Sequence, residues 1–420
     1  MRILYLHQHY SGPAGATATR SHAMARALKA AGHSVTIACG QYAGAVTGLS
    51  GPFRHGQREG ELQGVKLVEF AIPCGNHQGF AARTLAFGHF AAAATKLALS
   101  QPWDLIIASS TPLTVAIPAL VARRLRGTPF LFEIRDPWPE LPRAMKAAPA
   151  LALAAMEPLA TAACRQAAGV VALSEGMAET AMARGADPAR VHVVPNGCDL
   201  DLFGPHIAPW RPPGAPLWEA LAVYAGAHGR ANGLDQLLDA AEILQRRGER
   251  RLRLLLVGEG SEKPRLQQAA VDRGLANVTF MDSLPKQRLA SLLAGAQVGV
   301  QCLAPVPEFA EWTAPNKLMD YLAAGLPVVA NLSGRAARLL AEGQGGQTCG
   351  IATPPGDAAA LADALTWMAD NPGLRGQMGA AGRAQAVRRW DRRLLAADFV
   401  HAVERAVGLA RDEAPILAAA

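Results

Sequence analysis

The residues best suited to chemistry lie in one stretch, residues 313–325, Thr-Ala-Pro-Asn-Lys-Leu-Met-Asp-Tyr-Leu-Ala-Ala-Gly, followed by Leu-Pro-Val-Val-Ala. Pro315 suits the first position of a helix, Leu318, Met319 and Leu322 repeat at helical spacing, and Gly325 with Pro327 supplies a stop. The first turn of such a helix leaves the backbone N–H groups of Asn316, Lys317 and Leu318 unpaired, with the Lys317 ammonium beside them. A helix start of this kind attracts an anion, typically by about 0.3–1 kcal/mol. Asp320, one turn further on a neighbouring face, can accept hydrogen bonds from sugar hydroxyls. Phosphate at the helix start and a hydroxyl acceptor one turn later suit a nucleoside diphosphate and its ribose. An ordinary helix carrying a solvated Lys and Asp is the competing reading.

Weaker signals lie elsewhere. The small-residue loop 11–17, Ser-Gly-Pro-Ala-Gly-Ala-Thr, follows the first apolar run, and Gly12 and Gly15 would let a ligand come close to the backbone. His7, His9 and Tyr10 end that run and either line a site, as residues at strand carboxyl ends do, or simply pack. Gly258-Glu259-Gly260 lacks the spacing of a dinucleotide loop and reads as a strand-to-helix turn. The six cysteines, Cys39, Cys74, Cys164, Cys198, Cys302 and Cys349, contain no C-x-x-C pair. They fit neither a disulfide framework nor a zinc site, so a reducing, cytoplasmic setting is expected and no metal site is assigned.

These residues must be positioned by a large scaffold. The chain has 420 residues, half of them hydrophobic and 18% charged, which suits two globular domains. Apolar runs alternate with amphipathic ones. Strands are expected at 3–6, 35–38, 105–109, 130–134 and 169–173, with a helix at 19–31. A stretch rich in Pro, Gly and Trp, 205–218, reads as a linker. The alternation then restarts with strands at 221–225, 253–257, 278–281, 298–302 and 327–330. Helices are expected at 234–246, 263–273, 286–294, 316–324 and 335–341, and three more to about 406. The fold class is therefore α/β, two doubly wound parallel sheets in tandem whose carboxyl ends would face across a cleft. The expected domains are 1–204, 205–390, and a final segment 391–420 returning to the first.

The first ten residues hold too short an apolar run for a signal peptide, and no export is expected. The uncharged run 105–122 contains Ser109, Ser110, Thr111, Pro112 and Pro118, so it reads as strand, turn and helix rather than a membrane span. Formal net charge is +7, and the first 200 residues hold 18 Lys and Arg against 12 Asp and Glu. A basic first half can meet anionic lipid or an acidic substrate, or reflects a general basic bias. The helical stretch 85–99, with Phe87, Phe90 and Leu97 near an Arg and a Lys, can rest on a membrane surface or pack as core. No nucleic-acid partner is expected.

Several motifs recur in a familiar order: Arg26-Ala27-Leu28-Lys29-Ala30-Ala31-Gly32-His33-Ser34-Val35, Val194-Pro195-Asn196-Gly197-Cys198-Asp199, Leu256-Val257-Gly258-Glu259-Gly260, and the helix opening at Asn316. Over nearly the whole chain they resemble the GT-B fold glycosyltransferases of family 4, in particular a WbuB-like bacterial branch. That fold consists of two Rossmann-like domains. Residues 132–140, Phe-Glu-Ile-Arg-Asp-Pro-Trp-Pro-Glu, look like the acceptor-side loop of that branch, with Asp136 where many relatives carry a His-Asp pair. Many relatives also have two glutamates separated by seven residues. Here the second aligns with Asp320 and the first with Trp312, leaving Glu311 one residue out of register and Glu308 three further back. The Arg and Lys that bind donor phosphates in relatives align with Ala227 and Asn232, which leaves Arg230 as the substitute, Lys317 as a second cation and His228 as a weaker candidate.

The resemblance implies a retaining transfer of a sugar from a nucleoside diphosphate sugar, UDP-linked, to a hydroxyl of a glycan or lipid-linked glycan in bacterial polysaccharide assembly. Donor-binding residues would be Gly15, Gly226, Arg230, Asn316, Lys317, Leu318 and Asp320. Acceptor-binding residues would be His9, Arg135 and Asp136. Arg230 and Lys317 would neutralise the leaving diphosphate without a metal or other cofactor, and Asp136 or Glu311 would orient or deprotonate the acceptor. An epimerase or phosphorylase of the same architecture, or a silent nucleotide-sugar sensor, are the rivals.

Overall fold

A computed structural model describes residues 1–15, 20–75, 78–312, 316–341 and 346–408. Two compact units emerge, Met1–Pro195 with the chain from Arg393 onward, and Asn196–Arg392.

The first unit is built on eight strands: β1 Arg2–Leu6, β2 Ser34–Tyr42, β3 Gln57–Leu62, β4 Val65–Cys74, β5 Leu105–Ser109, β6 Phe130–Ile134, β7 Gly169–Ala172 and β8 Val191–Val193. Their order across the sheet is β3-β4-β2-β1-β5-β6-β7-β8. Only the β3–β4 pair is antiparallel. The central strands are uniformly apolar because both faces of a parallel sheet are covered. Ile3, Tyr5, Ile37, Leu105, Ile107 and Leu131 share one core cluster with Leu395, Phe399 and Val403. Those last three lie on the helix Arg392–Ala406, so the end of the described chain completes the core of the first unit.

The second unit has six parallel strands, β9 Ala220–Ala225, β10 Leu252–Val257, β11 Val278–Met281, β12 Val298–Gln301, β13 Val328–Ala330 and β14 Gly350–Ala352, in the order β11-β10-β9-β12-β13-β14. Successive side chains of a strand point to opposite faces. Accordingly Leu221, Val223 and Ala225 enter one core cluster, and Ala222 and Tyr224 the other.

The 205–218 stretch lies inside this second unit. Trp210 donates its backbone N–H to Ser291 at 2.8 Å, and the Arg288 guanidinium stands 3.6 Å from its ring. Arg211 bonds the carbonyls of Gly295, Pro216 and Glu219. Composition reads as a linker, but an aromatic anchor and an arginine clamp dock it. The stretch 85–99 lies in the helix Phe80–Ser100, where Phe87 and Phe90 are buried. Those two rings are core, which corrects the membrane reading as it rested on them.

Candidate functional site

Strand carboxyl ends carry the ligands of doubly wound sheets. In the second unit, β9 runs into Gly226 beside the helix Asn316–Ala323. That helix is seated by Leu318, Tyr321 and Leu322, all fully buried. Tyr321 lies where Gly299 has no side chain, since a Cβ on Gly299 would come within 2.6 Å of its ring. Its hydroxyl accepts a hydrogen bond from the Ala225 amide at 2.8 Å, fixing the helix against the last residue of β9. Pro315 lies outside the described residues.

This seating brings Lys317 across the turn after β9. A Cβ on Gly226 would meet Lys317 Cε at 2.5 Å, so a larger residue there would have to push the end of the lysine aside. The ammonium donates to Asn232 Oδ1 at 3.1 Å and stands 4.7 Å from the centre of the Tyr224 ring. Burial pushes the lysine down to about 8. Asn232, one of the two positions where relatives carry a cation, thus orients a cation that arrives from another element.

The rest of the loop is held by backbone contact. A Cβ on Gly258 would lie 1.9 Å from Gly226 O, and one on Gly260 would lie 2.3 Å from His228 O. The Gly-Glu-Gly turn therefore exists to let two loops touch. Gly258 also has φ of +147°, a conformation that side chains rarely adopt. Arg230 begins the turn Arg230–Asn232 and projects into solvent, its nearest acid Glu262 at 3.6 Å. His228 is completely buried with neither ring nitrogen hydrogen-bonded among the described residues, and burial, reinforced by Lys263, pushes it down to about 4.

Asn316 is half-buried at the first position of the helix, and the Leu318 side chain is core, so only the Leu318 amide can serve a ligand. Asp320 is half-buried and makes no side-chain hydrogen bond or ion pair among the described residues. Burial pushes its carboxyl up, opposed by Lys286 and Arg392. Glu311 lies on the short helix Phe309–Trp312 and is paired to Arg335 at 2.6 Å. An Asp-x-Asp run at 199–201, passed over in the sequence reading, places Asp199 against Arg392 at 2.6 Å. Among the described residues no three His, Cys, Asp or Glu side chains converge as a metal set.

In the first unit, Gly15 closes the small-residue loop by donating to Gly12 O at 3.0 Å, and a Cβ there would collide with Ser11 Oγ. Residues 16–19 lie outside the described residues. His7 is buried between Ser21, 2.5 Å from Nδ1, and Arg135, whose Nη1 donates to Nε2 at 2.6 Å. Burial holds His7 well below its ordinary value, and a neutral ring that accepts from arginine on Nε2 carries its proton on Nδ1. His9 packs 4.4 Å from the Tyr42 ring and is pushed down to about 3 by burial, so it acts as a neutral ring. Asp136 accepts from Thr111 at 2.7 Å, and burial raises its carboxyl. His9, Arg135 and Asp136 thus stand at or just beyond the carboxyl ends of β1 and β6. The sequence reading missed Arg20 and Glu133, which pair at 2.9 Å inside the unit. Glu133 also accepts from Tyr5 and Ser109, and Arg20 donates to the carbonyls of Val194 and Pro195. An arginine in the first helical turn and a glutamate inside an apolar strand were the available signals.

Chemically, the second unit presents a cation, a glycine-lined turn and a helix start, an arrangement that can hold a diphosphate. Residues 15–197 match the family described as glycosyl transferase 4-like domain, and residues 219–371 match glycosyl transferases group 1. A phosphatidyl-myo-inositol mannosyltransferase of Mycobacterium tuberculosis (strain CDC 1551 / Oshkosh) is 30% identical over 225 residues, 51% of this chain and 54% of that protein. The chain thus spans about half the length of the curated relatives it matches. The fold is similar to sucrose-phosphate synthase from Thermosynechococcus elongatus, with a TM-score of 0.74 at 19% identity, covering 94% of this chain and 96% of that one. Anabaena HepE, solved in complex with UDP and glucose, has a TM-score of 0.68 at 17% identity, covering 96% and 99%.

Proposed function

The chain belongs to the glycosyltransferases, with a GT-B fold, and from that premise we propose that it moves a sugar from a UDP-sugar to a hydroxyl of a glycan or lipid-linked glycan, with retention, in bacterial polysaccharide assembly. The observation that carries this reading is Lys317 lying over Gly226 at the start of the helix Asn316–Ala323. Departure of a nucleoside diphosphate piles negative charge on the β-phosphate, and pre-aimed donors in a partly dry site stabilise it best. Lys317, the amides of the helix start and the exposed Arg230 supply them, and Asp320 takes the ribose hydroxyls. The structure of HepE with UDP favours uridine, and the mannosyltransferase relative, named for a phosphatidylinositol substrate, favours a lipid-linked acceptor. Catalysis proceeds without a metal in this proposal, and the WbuB-like branch is the assignment that the motifs favour.

Calorimetry on the full chain tests the donor side. UDP should bind with unchanged affinity in EDTA, and Asp320→Ala should weaken it tenfold to a hundredfold, as loss of a charge-assisted contact of about 1.5–3 kcal/mol implies. The ribose is remote from the reacting carbon, so the loss should appear in donor KM more than in kcat. An unchanged affinity in Asp320→Ala, or turnover that EDTA removes and Mg2+ restores, would refute the respective part.

We also propose peripheral contact of the first unit with an anionic membrane. No described helix is long and apolar enough to cross one. On the helix Phe80–Ser100, Phe80 is 44% and Leu85 61% exposed, near Arg83 and with Lys96 further along the helix. Co-sedimentation with vesicles containing phosphatidylserine should fall several-fold in Leu85→Asp. Equal sedimentation of both proteins would sink the idea.

A further inference from the structure

We propose that a cavity in the first unit, beside the carboxyl ends of β2 and β4, binds a neutral hexopyranosyl unit of the acceptor. This rests on the glycosyl-transfer reading and specifies its acceptor. The cavity has a volume of about 580 Å3, within the range of about 300–1,000 Å3 usual for small-molecule sites. The ladder of β2 and β4 shifts register between Cys39 and Gln41, an irregularity that re-aims side chains next to functional sites. Gln41 and Glu69 both line the cavity wall.

Glu69 is 3% exposed. Its Oε2 accepts from Thr47 at 2.6 Å and from Arg58 Nε at 2.9 Å, while Oε1 makes no hydrogen bond among the described residues. A carboxylate oxygen left open on a cavity wall is a ready acceptor for a hydroxyl. The half-buried Gln41 side chain also makes no hydrogen bond among the described residues, so its amide can both donate and accept.

The charge balance selects the ligand. Arg58 spends Nε and Nη2 on Glu69 and Nη1 on the Gly51 carbonyl at 3.3 Å, and covers the Phe53 ring. Among the described residues the cavity wall contains no other charged side chain, so they offer an anionic ligand no free cation. Hydroxyls, which donate to Glu69 and exchange bonds with Gln41, fit instead. The wall is also tied to the small-residue loop, since Gly12 N donates to Val46 O at 2.8 Å and Val46 N to Ser11 Oγ at 3.3 Å.

The test is saturation-transfer NMR on the full chain with methyl hexosides of glucose, galactose, mannose and N-acetylglucosamine, against methyl glucuronoside and glucose 6-phosphate. At least one neutral hexoside should bind, and both anionic sugars should bind at least tenfold more weakly. Gln41→Ala and Glu69→Gln should each weaken the neutral sugar about tenfold or more while UDP affinity stays unchanged. If Glu69→Gln loses UDP binding with its fold, Gln41→Ala decides alone. No binding by any neutral hexoside, tighter binding of an anionic one, or an affinity unmoved by Gln41→Ala overturns the proposal. UDP binding by the unaltered protein is read in the same samples, so loss of the donor reading is seen separately from loss of this site.

Discussion

Replacing Lys317 with alanine should lower turnover by about 10²–10³, the usual cost of deleting one donor aimed at charge that develops in a transition state. The lysine is held in place at this turn, because its stem lies against Gly226 and its ammonium is aimed by Asn232, whereas the Arg230 side chain is exposed, with Glu262 3.6 Å away. The pH dependence follows from its burial. With the free protein's lysine pushed down to about 8, the ammonium is lost as pH rises through that value. A diphosphate binds the charged form, so UDP affinity and kcat/KM should be flat below about pH 8 and fall by about tenfold per unit above it. Bound diphosphate raises the lysine's pKa, so kcat at saturation should keep its plateau to higher pH. Lys317→Arg should move the basic limb out of range while retaining part of the activity, because guanidinium stays charged. UDP affinity that is unaltered in Lys317→Ala, or flat to about pH 9 in the unaltered protein, would dismiss Lys317 as the phosphate ligand.

How much of this was legible in the sequence depends on which force fixed each element. Buried parallel strands such as β1, β5, β6, β9 and β10 are apolar runs, and their period and length gave them away. β3 reads Gln-Arg-Glu-Gly-Glu-Leu and is held by pairing with β4 rather than by burial, so no hydrophobic pattern marks it. β14, three residues long, is likewise placed by its neighbour β13. The helix at Asn316 was visible because stop residues and spacing agree there. Its partner Asn232 was invisible in that role, since the bond spans 85 positions and depends on a glycine leaving room. Arg20 and Glu133 escaped for the same reason, each looking like an ordinary charge until the fold brought them together.

That buried pair carries the largest expected effect on stability. The Arg20 side chain is 1% exposed and that of Glu133 fully buried, their closest contact 2.9 Å. Removing one partner leaves the other charge in the core, which typically costs about 3–5 kcal/mol. Glu133→Gln should therefore move the urea midpoint of the first unit sharply down, with the largest loss of amide protection in β1 and β6, the strands that the Tyr5–Glu133 bond joins. Arg20→Met should do the same, and the double variant should be less destabilised than the sum of the two, because it leaves no charge unpaired. Burial alone would raise the Glu133 carboxyl, but Arg20, Arg135 and the bond from Ser109 outweigh it and hold the group below the ordinary value. A carboxyl lowered by folding contributes stability that is complete above its unfolded value of about 4.3 and is lost as pH falls through the folded one. The gap between the native protein and Glu133→Gln should thus be widest near neutrality and close under acid. A gap under about 1 kcal/mol at neutral pH, or one that widens as pH drops below about 4, would mean that the pair fills space and that its charges do not hold the sheet.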